Sequence, residues 1–250
     1  MKKSILLLLS ILAGCGVAAV AGEKKNTVFG TTERSESALI GILYDFKQNQ
    51  KREPIPMDRH IFEVQVEEFI DKGFDEGMLN KYYRVPRALY TTELMIDTID
   101  ADTAPKAFGV EKTVKPEKWM VHYKGQVSVP EDGIYRFLGN SDDFVAVAVN
   151  GKTVLVDVTP GTGNTLKTKW FAKEKFDLEG DYTAGDWIEL KAGKPFDLDI
   201  VTGESPGGQY RCRLAVQKKG ASYPDRRPPR FQLAATKDTP RGVLPWKGIQ

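Results

Sequence analysis

Two adjacent carboxylates, Asp142 and Asp143, are the residues of this chain whose types and spacing could do chemistry. They lie between an alternating segment that ends near Leu138 and an apolar run that begins at Phe144. That run ends in Asn150-Gly151, which predicts a tight hairpin because a type I′ turn needs φ > 0 at both central residues. The hairpin would hold one side of the acidic loop rigid. Glycoside hydrolysis needs two carboxylates about 5 Å or 6.5–9.5 Å apart across a cleft, so an adjacent pair favours ligand binding over catalysis.

Other catalytic signals in the chain are weak, and we expect no enzyme activity. Residues 203–207 match the Gly-x-Ser-x-Gly pattern of a nucleophile elbow, but the residue after Ser205 is a proline. Proline has no N–H to place in an oxyanion hole. The glycine-rich segment 160–164 lacks the Gly-Lys-Ser/Thr that completes a phosphate-binding loop. Two cysteines and two histidines, far apart, have no zinc-ligand spacing.

Alternating strands must position the acidic loop. In residues 119–129 the large apolar side chains fall on one face, and His122 falls among polar residues on the other. The alternation therefore predicts a half-buried strand with His122 exposed. Further short strands separated by turns predict an antiparallel β-sandwich, a mainly β fold. Cys212 shares the apolar face of one of these strands and is predicted to be a small core residue.

After residues 1–21 the chain divides into three regions, the second of which contains an insertion. Residues 22–38 are expected to be a linker, and 39–220 the sandwich. A helical insertion is expected at about 56–112, where apolar residues recur at helical spacing and Asp75 has the position of an N-cap. The final segment, 221–250, is rich in proline and is predicted to run extended over the surface or to stay disordered.

The first residues predict export. Residues 1–21 combine a basic start with an apolar stretch, which is typical of a signal peptide. Two cleavage sites compete: a lipobox-like sequence would make Cys15 the lipidated first residue, and a small-x-small pattern ends at Ala21. No second apolar stretch follows, so the membrane would be reached only through a lipid anchor. We expect a bacterial protein of the periplasm, the outer membrane or the cell surface.

Composition is that of an ordinary globular protein, with 41% hydrophobic and 28% charged residues. The formal net charge of +2 includes Lys2 and Lys3 of the predicted signal peptide. The mature chain is therefore close to neutral. Nucleic-acid binding requires a clustered basic excess, so nucleic acid is not expected as a partner.

The stretch from Trp119 to Asp157 resembles the protective-antigen fourteen-kilodalton domain family. The resemblance is carried by an aromatic strand, Pro-x-x-Gly-x-Tyr-x-Phe, Ser-Asp-Asp and Val-x-Val-Asn-Gly-Lys. It extends loosely over residues 106–218, and residues 39–46 resemble the opening strand of the family. The resemblance implies a β-sandwich, found in adhesins, toxins and glycosidases, that is usually non-catalytic and often binds carbohydrate.

The resemblance also implies a role for the paired aspartates. In fungal adhesins of this family the pair binds a calcium ion that contacts sugar hydroxyls, which makes Asp142 and Asp143 candidate metal and glycan ligands. Those adhesins add an Asn from a later loop, where this chain has Glu204, Ser205 and Gln209. Glu204 is therefore the third candidate ligand. Calcium suits carboxylates because it takes six to eight oxygens in flexible geometry.

The backbone sets a condition on this role. Neighbouring side chains of an extended segment point to opposite faces, so Asp142 and Asp143 can bind one cation only if the backbone departs from β geometry, as at a cis peptide bond. The alternative is a polar turn in which the aspartates accept hydrogen bonds from nearby backbone amides. Two functions remain open: an envelope module that binds a glycan, with or without calcium, and a structural or assembly protein that binds an envelope protein.

Overall fold

The computed structural model of the protein describes residues 25–159, 173–176, 180–221, 231–232, 244–245 and 247–249. The predicted signal peptide, with Cys15, and the glycine-rich segment 160–164 lie outside the described residues.

The described residues form mostly antiparallel strands, with three helices. The helices are α1 (Arg59–Asp71), a 3-10 helix (Glu76–Lys81) and α2 (Thr103–Ala107). The strands are β1 (Asn26–Thr27), β2 (Gly30–Thr31), β3 (Leu39–Asp45), β4 (Tyr83–Thr91), β5 (Met95–Asp100), β6 (Trp119–Ser128), β7 (Gly133–Asp142), β8 (Phe144–Val149), β9 (Lys152–Val158), β10 (Lys173–Phe176), β11 (Gly180–Ala184), β12 (Ile188–Leu190), β13 (Phe196–Glu204), β14 (Gln209–Lys218), β15 (Phe231–Gln232), β16 (Leu244–Pro245) and β17 (Lys247–Ile249).

Two sheets pack face to face, which confirms the predicted β-sandwich. The large sheet has the order β1-β2-β4-β3-β6-β13-β8-β9, and β17 pairs with β6 at one end. The small sheet has the order β10-β11-β7-β14-β5, with β12 also on β7. The core between them contains the inward side chains of both, including Trp119, Tyr123, Phe137 and Leu214. Cys212 lies in this core as a free, buried thiol, as predicted.

A second apolar layer covers the outer face of the large sheet. Helix α1 begins at Asp58, whose side chain accepts a hydrogen bond from the backbone N–H of Ile61. Its buried residues Phe62, Val66 and Phe69 pack against outward side chains of the sheet, among them Met120 and Ala146. The helix therefore packs on the sheet through a separate apolar interface, which is distinct from the core between the sheets and which we call the seam.

This helical cover makes the prediction of an exposed His122 wrong. His122 is buried, with its ring centroid 5.6 Å from that of Phe69 and its Nε2 2.7 Å from Asp199 Oδ1. The alternation of β6 correctly assigned His122 to the outer face, but that face is covered by residues from another part of the chain. The alternation of apolar and polar residues shows on which face of the strand a side chain lies, but not whether another part of the chain covers that face.

The predicted region boundaries need three corrections. Within residues 25–38 the expected linker contains β1 and β2, and Phe29 belongs to the core. The expected helical insertion is helical at α1, the 3-10 helix and α2, but β4 and β5 between them are strands of the two sheets. The tail is not wholly separate, because β17 pairs with β6.

The cap of the 3-10 helix agrees with prediction: the Asp75 side chain accepts from the N–H of Gly77. None of the described helices is long and apolar enough to cross a membrane.

Candidate functional site

The end of β7 in the small sheet and the neighbouring strands β8 and β13 of the large sheet bring the predicted ligand residues to one end of the sandwich. Asp142 ends β7, and Phe144 begins β8 directly after Asp143. On the adjacent strand, Gly203 of β13 pairs with Phe144. Asp143 and Glu204 therefore lie side by side, where β8 begins and β13 ends. The peptide bond between Asp142 and Asp143 is cis, so the backbone departs here from the extended β geometry that would turn the two side chains to opposite faces.

Asp143 is buried and links two loops. It is 3% exposed, and its Oδ2 accepts a hydrogen bond of 2.7 Å from the backbone N–H of Ser205. Burial raises the pKa of Asp143, the Ser205 bond opposes that rise, and the charge of Asp142 adds to it. The polar-turn alternative anticipated bonds to nearby amides. The amide found here lies 62 residues away in the sequence, so the side chain connects β7 to the loop after β13.

Glu204 is the most perturbed acid of the site. It is 1% exposed, and its Oε1 accepts a 2.9 Å hydrogen bond from the N–H of Gly207. Its Oε2 is buried without a hydrogen-bond partner. Burial raises the pKa of Glu204 to about 9, and the nearby Asp143 carboxylate contributes to the rise. Without a bound cation the Glu204 carboxyl group is therefore protonated at neutral pH.

Asp142 is the outermost of the three acids. Its side chain is partly exposed, and Oδ1 lies 3.2 Å from the Thr159 hydroxyl, which also contacts the backbone oxygen of Ser141. The structure thus brings all three predicted ligand residues to one place. Asp143 and Glu204 are its buried members and Asp142 is partly exposed, and we call this group of acids the carboxylate pocket.

Two further residues of the pocket, Arg59 and Glu63, come from helix α1 and were missed from the sequence. Glu63 is buried, and its Oε1 accepts hydrogen bonds from Arg59 Nε at 2.8 Å and from the Ser205 hydroxyl at 3.3 Å. The available signal was the position of Glu63 in α1. It shares a helix face with Val66 and Ile70, which pack on the sheet. A charged residue on an apolar face indicates a partner across the seam.

The pocket fits calcium in the chemistry of its donors. Carboxylate oxygens are the ligands that calcium prefers, and the Oε2 of Glu204 has no hydrogen-bond partner and becomes such an oxygen when the group loses its proton. One oxygen each of Asp142, Asp143 and Glu204 already accepts a hydrogen bond. In the described part of the chain, no three His, Cys, Asp or Glu side chains are spaced to hold a metal ion. Side chains of the described residues alone thus leave a shell of six to eight oxygens incomplete.

Comparisons with solved structures give similar domains at low sequence identity. The PA14 sugar-binding domain from an RTX adhesin is 15% identical, with 75% of this chain and 93% of that chain covered and a TM-score of 0.46. The PA14 domain of the MpAFP antifreeze protein is 13% identical, covering 80% and 89%, with a TM-score of 0.46. The Epithelial Adhesin 6 A domain from Candida glabrata, in complex with Galb1-3GlcNAc, is 13% identical, covering 85% and 94%, with a TM-score of 0.47.

No curated protein matches the sequence. The model of the PA14 domain family matches residues 75–226. This match covers the paired aspartates, Glu204 and every strand from β4 to β14. Because it spans more than half of the chain, and in agreement with the resemblance found in the sequence, the protein belongs to the PA14 domain family.

Proposed function

We propose that this protein is an exported, non-catalytic glycan-binding protein of the bacterial cell envelope, and that the carboxylate pocket is its binding site. The observation that carries the proposal is the Oε2 of Glu204, which is buried without a partner beside Asp143. An unsatisfied buried polar group costs about 1–3 kcal/mol, and a sugar hydroxyl, which can donate or accept a hydrogen bond, would remove this cost. Membership of a family whose members often bind carbohydrate supports the same assignment.

Calcium is the ion that we propose for Asp142 and Asp143. Bound there, it would neutralise the two carboxylates and offer open coordination positions to sugar hydroxyls. Glu204 would then lie next to the ion and lose its proton. The side-chain residues that would hold the ion are Asp142 and Asp143, with Glu204 as a further oxygen ligand.

A glycan array and thermal unfolding test the proposal together. We expect retention of defined glycans by the wild-type protein, a higher melting temperature in calcium than in EGTA, and loss of both effects in Asp142→Asn. Asp97→Asn is a matched control, because Asp97 is an exposed aspartate paired with Arg213 away from the pocket. No glycan retained on a broad array would refute the binding function. A melting temperature unchanged by calcium would refute the calcium site alone.

Anchoring through Cys15 is part of the proposal and is tested separately. Mass spectrometry of the mature protein should find a lipidated cysteine at its first position. A mature chain that begins after Ala21 would instead indicate ordinary signal cleavage and a protein free of a lipid anchor.

A second candidate function is binding to an envelope protein. It is favoured by an apolar patch on the outer face of the small sheet, where Trp187 and Ile134 are 39% and 40% exposed. Arg136 is two residues from Ile134 on β7, and its guanidinium lies 4.3 Å from the Trp187 ring centroid. Exposed aromatic and arginine side chains are typical of protein interfaces. A partner recovered by cross-linking in the wild type and lost in Trp187→Ala would favour this function.

A further inference from the structure

A continuous chain of hydrogen bonds connects the start of α1 to Asp143 of the carboxylate pocket. Asp143 accepts from the Ser205 backbone, the Ser205 hydroxyl donates to Glu63, and Glu63 accepts from Arg59. These contacts join residues that are 142 positions apart in the sequence. The position of Arg59 is therefore fixed relative to the acids.

Arg59 is the positive charge that acts on both buried acids of the pocket. Its guanidinium interacts electrostatically with Asp143 and with Glu204, whereas the other charges that act on these two residues come from carboxylates. One guanidinium thus pairs with Glu63 and acts on the carboxyl groups of Asp143 and Glu204. The balance is acidic, so the pocket can take further positive charge.

Arg59 is also incompletely satisfied. Its Nη2 is buried without a hydrogen-bond partner, and so is the Oε2 of Glu204. A buried donor and a buried acceptor of complementary chemistry thus remain unpaired in one pocket. The Arg59 side chain is 35% exposed, whereas Glu63 is almost fully covered. Part of the Arg59 side chain therefore reaches solvent, whereas Asp143, Glu204 and Glu63 are buried.

We propose that Arg59 is the resident counter-ion of the carboxylate pocket and that it sets the affinity of the pocket for a divalent cation. The guanidinium and a bound cation would stabilise the same carboxylates and repel each other. Cation binding is then opposed by the charge of Arg59, and it is favoured when Arg59 is replaced by a neutral residue. The inference rests on the proposed function only in that the pocket takes a cation.

Calcium titration of the full chain tests this role with calcium alone as the probe. Isothermal titration calorimetry should give at least tenfold tighter binding in Arg59→Gln than in the wild type. Arg59→Lys keeps the charge and should stay within about threefold of the wild type. Lys72→Gln is the matched control, because Lys72 forms an exposed i,i+4 pair with Glu68 on the same helix, and it should leave the affinity unchanged.

Equal calcium affinities of Arg59→Gln and the wild type would overturn the proposal, as would the absence of calcium binding in both. Arg59→Met keeps the apolar stem and carries the same expectation if Arg59→Gln does not fold, as judged by circular dichroism. Glycan retention is measured on the same proteins. If no glycan binds but calcium affinity rises in Arg59→Gln, the glycan function fails and the counter-ion role stands.

Discussion

Replacing Glu204 by Gln should change how the stability of the protein depends on pH. The carboxyl group has a pKa raised to about 9 in the folded protein, against 4.5 for an ordinary glutamate. Between these values the folded state holds a proton that the unfolded state releases. The free energy of unfolding therefore falls as pH rises, by about 1.4 kcal/mol for each pH unit between these two pKa values. From pH 4.5 to pH 7 the loss amounts to about 3 kcal/mol.

Gln cannot ionise, so Glu204→Gln removes this loss. The side-chain oxygen can still accept from the N–H of Gly207, and the new amide can donate to the neighbouring Asp143 carboxylate. Any constant cost of burying the amide is the same at every pH and cancels when two pH values are compared. Relative to the wild type, the free energy of unfolding of the variant should therefore rise by about 3 kcal/mol between pH 4.5 and pH 7.

Urea unfolding followed by tryptophan fluorescence, at half-unit steps from pH 4.5 to pH 8 in EGTA, measures this difference. Glu189→Gln is the control, because Glu189 is an exposed carboxylate paired with Lys191, and its curve should run parallel to that of the wild type. Parallel curves for Glu204→Gln and the wild type would refute the assignment of a buried, protonated Glu204. Excess calcium should flatten the pH dependence of the wild type, because the ion favours the charged form.

Three other substitutions or treatments test the packing that positions the site. Phe69→Ala should lower the free energy of unfolding by about 3–5 kcal/mol in urea titration, because Phe69 is fully buried in the seam between α1 and the large sheet. A loss below about 1 kcal/mol would show that the seam does not hold the helix. Gly203→Ala should lower the melting temperature, since a Cβ there would lie 2.4 Å from the backbone oxygen of Trp119. An unchanged melting temperature would contradict the close pairing of β13 and β6. Cys212 should resist a thiol reagent in the native protein at pH 8 and react after unfolding, because the thiol is buried and burial raises its pKa to about 11; rapid native labelling would contradict its place in the core.

The sequence predicted those parts of the fold whose information is local. The strand pattern of β6, the hairpin between β8 and β9 and the cap at Asp75 each depend on residues within a few positions of one another, and each is present. The position of the acidic loop followed from the same local pattern. Asp142 and Asp143 could be located because the strands on either side were clear.

The parts that were missed depend on contacts between distant segments. His122 was assigned to the correct face of its strand but to solvent, because nothing near it in sequence indicates that Phe69 covers it. Glu63 and Arg59 join the pocket through Ser205, 142 residues from Glu63. Local periodicity carries no information on such a pairing. The core position of Phe29 was missed because β1 and β2 are only two residues long.

A comparison of two buried acids in this fold separates a structural role from a binding role. Asp157 is buried on β9, and both of its carboxylate oxygens are satisfied. Oδ2 accepts from the Ser141 N–H and hydroxyl at 2.8 Å and 2.6 Å, and Oδ1 accepts from the Thr183 hydroxyl. Such an acid is explained by folding alone, since its bonds connect β9 with β7 and β11.

Glu204 is buried to a similar degree and has an oxygen with no partner, while the Nη2 of Arg59 is likewise unpaired. Each such group costs the folded protein about 1–3 kcal/mol. The carboxyl groups of Asp142, Asp143 and Glu63 add repulsion that folding does not require. Asp157 shows that hydroxyl and backbone donors can satisfy a buried carboxylate of this fold completely. That the sequence instead leaves the pocket acidic and unpaired favours a ligand that supplies positive charge and hydroxyl donors.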